Sequence, residues 1–130
     1  MAVTLETSAR NGACNGVVDL VDAGSAAGKL QFKTSSGTST FDNGEVATLT
    51  FTDPAFGNAS TGVATANAIT SDTNATGGTI AKAYFYDSDN NPVLSCAVST
   101  TGSDINLSSV AIGAGDTVSV SSLTVTMPAS

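Results

Sequence analysis

Ile80-Ala81-Lys82-Ala83-Tyr84-Phe85-Tyr86-Asp87-Ser88-Asp89-Asn90-Asn91-Pro92-Val93-Leu94-Ser95-Cys96-Ala97-Val98-Ser99 carries the reading of the fold. Its first half alternates Ala81, Ala83 and Phe85 with Lys82, Tyr84 and Tyr86, the period of two that sends successive side chains to opposite faces of a strand. Residues 87–92 are turn formers, and 93–99 return as the hairpin partner. The same alternation recurs upstream. Residues 29–34 turn Leu30 and Phe32 inward. Residues 45–52 put Ala47, Leu49 and Phe51 on one face and Val46, Thr48 and Thr50 on the other, until Asp53-Pro54 stops the strand. Residues 63–69 read as a small-residue strand with Ala64, Ala66 and Ala68 on one side, and 71–78 as a polar loop. Downstream, 104–112 hold one or two short strands and 113–116 turn the chain. Val118, Val120, Leu123, Val125 and Met127 then make a last strand, with a bulge where the alternation slips at Ser121-Ser122.

One segment has a helical period. Over residues 5–21, Leu5, Ala9, Ala13, Val17 and Val21 form an i, i+4 stripe, widened by Cys14, Val18 and Leu20. Thr4 is the expected N-cap, Glu6 an acid in the first turn and Gly24 the C′ residue. Gly12 and Gly16 weaken this helix, which is understandable if they let it lie close against a sheet. The expected architecture is one domain over 1–130, mainly β: an antiparallel sandwich of jelly-roll type over 29–127, preceded by a short N-terminal helix within 1–24.

Composition narrows the function. The 130 residues carry no histidine and no tryptophan, and only Arg10, Lys29, Lys33 and Lys82 are basic. More than a quarter of the chain is Ser and Thr, and net charge is -7. Too few cations exist to release counterions from nucleic acid, or to meet an anionic membrane. No run is apolar enough to span a bilayer. The first residues lack a basic and an apolar signal region, so cytoplasmic synthesis is expected. The Asn-x-Ser/Thr triplets at Asn58, Asn74 and Asn106 are then chance products of a Thr-rich chain.

No catalytic, cofactor or metal site is expected. The many serines have no histidine to activate them. Asp87-Ser88-Asp89-Asn90-Asn91 begins like a calcium loop, but Pro92 and Val98 stand where Gly and Glu belong, so a polar hairpin turn is the better reading. Cys14 and Cys96 are either a disulfide or two small buried hydrophobes, and cytoplasmic synthesis favours the second. Lys29, Lys33 and Lys82 lie at strand positions read as outward. Tyr84 and Tyr86 share that face and, with Lys82 and the helical Arg10, are the candidate interface residues.

Ala9-Arg10-Asn11-Gly12-Ala13-Cys14-Asn15-Gly16-Val17-Val18-Asp19-Leu20 is followed by Leu30-Gln31-Phe32, by Val46-Ala47-Thr48-Leu49-Thr50-Phe51 and by Asp53-Pro54-Ala55-Phe56-Gly57. The chain ends through Asp104-Ile105-Asn106-Leu107-Ser108-Ser109 and Ile112-Gly113-Ala114-Gly115-Asp116. This order over nearly the whole length resembles small tailed-bacteriophage virion proteins of the capsid decoration, or cement, type. The resemblance implies a β-rich dimer or trimer that binds the major capsid protein on the outside of the head and bridges capsomers, without catalysis or cofactor. It marks no individual functional residue. The acidic composition agrees, since an inner face would meet packed DNA. The competing expectation is a fibre, adhesin or carbohydrate-binding module of similar architecture.

Overall fold

The computed structural model describes residues 3–128. It is mainly β with one short helix, α1 (Thr7–Asp19), continued by a 3-10 turn (Leu20–Asp22). Nine strands follow: β1 (Lys29–Lys33), β2 (Glu45–Thr50), β3 (Val63–Thr65), β4 (Gly78–Thr79), β5 (Lys82–Tyr86), β6 (Pro92–Ser99), β7 (Ile105–Asn106), β8 (Ala111–Ile112) and β9 (Thr124–Thr126). Five form one sheet in the order β2-β1-β5-β6-β7, while β3-β9 and β4-β8 are two-stranded ribbons. The sheet is antiparallel except at β6–β7, which is parallel, a departure from the purely antiparallel expectation.

The 80–99 hairpin forms as its alternation requires. Facing residues across the sheet run Leu49, Leu30, Phe85, Leu94 in one row and Ala47, Phe32, Ala83, Cys96 in the next. These rows pack beneath Cys14, Val18 and Val21 of the helical segment and beneath Phe51 and Phe56, in one continuous core. Phe51, Phe56 and Phe85 form its aromatic centre, with ring centroids 5.4 to 6.3 Å apart.

The opposite rows are where expectation and structure part. Lys33 and Tyr86 were expected outward, but both are fully buried, as is Gln31. The cover is the connection 34–44, which folds back over this face. Its carbonyls point down at donors on the sheet. Lys82 Nζ donates to Gly37, Lys33 Nζ to Thr38 and Thr40, and the Tyr86 hydroxyl to Ser39, at 2.7 to 3.0 Å. Gln31 fixes the far end, donating to the Asp42 carboxylate and accepting from the Asp42 N–H. Val46 was also placed on the outer face, but it is buried and its carbonyl takes the N–H groups of Thr76 and Gly77.

The helix is turned relative to its expected stripe. Ala9 and Ala13 are exposed, and the inward face is Arg10, Asn11, Cys14, Asn15 and Val18. Three of these five are polar, because the helix docks partly on backbone. Asn15 Oδ1 accepts from the Ala59 N–H and Asn11 Oδ1 from the Gly62 N–H, both at 2.8 Å. Arg10 Nε donates to the Met127 carbonyl and the Cys14 thiol to that of Val125. Glu6, not Thr4, is the N-cap, and its side chain makes no capping bond. Gly24 does adopt a left-handed φ of 95°, and a Cβ there would meet Ser88 Oγ.

Gly12 and Gly16 do not serve close packing. A Cβ at either would meet nothing within 4 Å. At the other end of the chain, the expected strand over 118–127 shrinks to β9. Val118 makes an isolated bridge to Asp72, and 119–123 leave the ladder instead of forming a bulge.

Three variants of this helix test its rotation. Gly12→Ala and Gly16→Ala should each stabilise the protein, by about 0.5–1 kcal/mol, because the new methyl meets only solvent and the unfolded chain loses freedom. Asn15→Ala should destabilise by about 1–3 kcal/mol, since the Ala59 N–H loses its acceptor. Urea denaturation measures all three, and a stabilising Asn15→Ala would refute this orientation.

Candidate functional site

The four candidate interface residues do not form one patch. Tyr84, Tyr86 and Lys82 share the loop-covered face of the sheet with Lys33, whose Nζ lies 5.1 and 5.2 Å from the Tyr84 and Tyr86 ring centroids. Phe41 from the covering loop meets Tyr86 edge-on at 5.0 Å and carries Lys29 Nζ on its own face. Tyr86 is therefore a core residue, while Tyr84 and Lys82 are half-buried. Arg10 belongs to the separate junction between α1 and the β3–β9 ribbon, with its guanidinium beside Gly62. Sequence periodicity placed three of these residues on the right face and missed what covers it.

The chemistry of that face is structural. Burial drives the Lys33 pKa below its ordinary value, against the opposing attraction of Asp42 and Glu45. Burial pushes the Tyr86 phenol up to about 12, with Tyr84 and Asp42 adding to the effect. Both groups spend their donors on carbonyls, which leaves no lone base or nucleophile facing solvent.

The 87–92 turn likewise consumes its own oxygens. Asp87 accepts from the N–H groups of Asp89 and Asn91 and from the Asn91 side chain. Burial disfavours its charge, but these bonds and nearby Lys29 outweigh that and hold its pKa below the ordinary carboxylate range. Among the described residues, no group of three or more His, Cys, Asp or Glu side chains is placed to hold a metal ion. Cys14 and Cys96 are unpaired thiols; Cys14 is buried as the second of the two expectations had it, whereas Cys96 is only half-buried. Burial raises the Cys96 thiol to about 11, with the Asp104 charge adding, so it stays protonated at neutral pH.

A groove of about 840 Å³ runs between residues 104–112 and 116–124. The residues in it were read only as short strands, and the slip at Ser121-Ser122 was the sole signal of a broken ladder. Its lining is mixed and mostly polar: Ile105, Leu107, Val118, Val120 and Leu123 lie among Ser, Thr, Asn and Asp. Among the described residues that line it, none is aromatic or basic. The two carboxylates on its rim are engaged in local turns: Asp104 accepts from the Ala97 N–H and Asp116 from the Gly113 N–H. The groove thus offers shape, hydroxyls, backbone and two carboxylates, without an aromatic stacking platform for a sugar ring.

No protein-family model, curated protein or solved structure matches the chain. No helix among the described residues is long and apolar enough to cross a membrane.

The phenol of Tyr86 sets an alkaline limit. Its folded pKa exceeds the unfolded value of 10, so its share of stability is complete below pH 10 and is lost as pH rises toward 12. Lys33 acts in the opposite sense, its lowered pKa adding stability as pH climbs toward 10.5. Tyr86→Phe isolates the first effect. It should cost about 1 kcal/mol at neutral pH for the lost hydrogen bond and should flatten the decline from pH 10 to 12. Chemical denaturation across that range measures it, and parallel pH profiles would show Tyr86 ionising freely.

Proposed function

We propose that this chain is a structural protein of a phage virion, bound to the major capsid protein on the outside of the head and stabilising the assembled shell by bridging capsomers. One observation carries the reading: each of the four basic residues donates to a partner within the chain, Lys33 buried, Arg10, Lys29 and Lys82 half-buried, with the Lys29 bond at the surface. Arg10 donates to the Met127 carbonyl, Lys29 to Asn90, Lys33 to Thr38 and Thr40, and Lys82 to Gly37. Most of the eleven acids are exposed. What faces outward is acid, hydroxyl and small apolar surface. Such a surface repels phosphate backbones, and its hydroxyls can exchange water for hydrogen bonds to another protein.

We read the wide sheet, with the helix and ribbons laid over its Phe85 face, as the two layers of a sandwich-like body that serves as a rigid block. The mechanism needs no bond making or breaking. A ligand that binds only the assembled lattice stabilises it by mass action, and many copies spanning several subunits add avidity. The working unit is a homo-oligomer, a dimer or trimer. Enzymatic activity, nucleic acid and membrane are outside this reading.

Particles purified from the phage that encodes the chain should contain it in copy numbers of the order of the capsid lattice. Heads lacking it should burst at lower temperature, or under milder osmotic shock, than complete heads. Quantitative mass spectrometry and a thermal release assay of packaged DNA measure the two. Absence from mature particles, or equal survival of both kinds of head, would overturn the proposal.

A further inference from the structure

The groove described above has the form of a vacant strand position. Its β7 wall is the last strand of the sheet and is paired on one side only, by β6. Across the gap, Ser119, Val120, Ser121 and Ser122 are non-helical and make no backbone hydrogen bond to a described residue. Unpaired N–H and C=O groups on both walls, with Leu107 and Val120 between them, are what an added strand requires: main-chain bonds at the sides and contacts for alternate side chains.

The same chain carries a segment of that pattern. Residues 3–6 precede the helix without regular structure, and they alternate Val3 and Leu5 with Thr4 and Glu6. Val3 is 71% exposed, more than Leu20, the other exposed large apolar residue among the described residues. In an extended segment Val3 and Leu5 share one face, about 7 Å apart; Leu5 is already half-buried in its own chain, so Val3 is the free side chain that would meet Leu107 and Val120.

The direction of the helix decides whose groove is filled. Cys14 contacts Val125 and Arg10 contacts Met127, so toward its N-terminus the helix tracks β9 away from the groove, which ends at Thr124. To enter its own groove the arm would have to reverse at Glu6 and run back past Met127 and Val125. A neighbouring molecule presents no such obstacle.

We propose that the chain self-associates by arm exchange, residues 3–6 of one copy lying as a strand in the groove between β7 and residues 119–122 of a second copy. The contact joins unlike surfaces, so it closes either as a reciprocal pair or as a small ring. This deepens the homo-oligomer part of the proposed function and does not depend on capsid binding.

The test uses the full chain. Sedimentation should give a multiple of the 12.8 kDa chain mass. Val3→Asp, at an exposed site, and Val120→Asp, in the groove, should each weaken association at least tenfold, while circular dichroism shows that both variants stay folded. Because Val120 is half-buried, a second measurement stands apart from folding. Val3→Cys and Ser121→Cys, made in separate chains and mixed under mild oxidation, should give a mixed disulfide dimer. The native thiols, one buried and one of raised pKa, contribute little background. A monomer at every concentration, an oligomer indifferent to Val3→Asp, or no mixed disulfide between the two cysteine variants would each overturn the proposal. A monomer that still decorates particles would sink arm exchange alone; an arm-linked oligomer missing from particles would sink the capsid reading alone.

Discussion

The structure turns on one buried ammonium. Lys33 sits at the end of β1, an interior strand of the sheet, with no solvent contact, between the carbonyls of Thr38 and Thr40 and the faces of Tyr84 and Tyr86. An unpaired charge in such a place would be prohibitive. Two short hydrogen bonds and two ring faces supply what water would have given. The loop is held by the cation as much as the cation is shielded by the loop. Gly37 and Ser39 bring their carbonyls to Lys82 and Tyr86 in the same way, so consecutive peptide units are oriented by donors on the sheet. The sheet thereby gains a second covered face with almost no apolar side chain in the cover, Phe41 excepted.

That arrangement explains what the sequence conceals. Alternation in β1, β2, β5 and β6 was legible, because the rows through Phe32 and Phe85 are apolar and the turns between them are marked by Asp, Asn and Pro. Lys33, Tyr84 and Tyr86 fell on the correct face of those strands, yet their burial was invisible. A polar loop of Thr, Ser and Gly looks the same whether it stands in water or bends its carbonyls onto lysines. The helix shows a related blindness. Counting Ala9 and Ala13 as apolar turned the predicted stripe toward small residues, whereas the real face uses Asn11 and Asn15 to satisfy backbone N–H groups in residues 59–62. Periodicity weighs hydrophobicity and cannot register a side chain spent on main chain. The groove escaped notice for a third reason: it exists because a strand of good alternating pattern fails to pair.

These features suit a protein whose work is contact. Each cation donates to a partner within the chain, and the buried side-chain nitrogens and oxygens among the described residues all have partners. The regions that remain uncommitted are surfaces and edges: the exposed arm before α1, the open side of β7, and the Ser/Thr rims. Adhesion through backbone and hydroxyl is weak per contact and gains strength from repetition, the condition met on a lattice of identical subunits.

The lid of residues 34–44 also constrains anyone who would graft foreign peptides onto this scaffold for display. By length and composition it looks the natural place for an insert, being polar, glycine-bearing and joined to a hairpin. Cutting it open would strip the carbonyl cage from Lys33 and leave a stranded charge in the protein interior. The stretch Thr100-Thr101-Gly102 is the safer carrier: it lies exposed, its glycine has open space around it, and no buried group relies on its carbonyls.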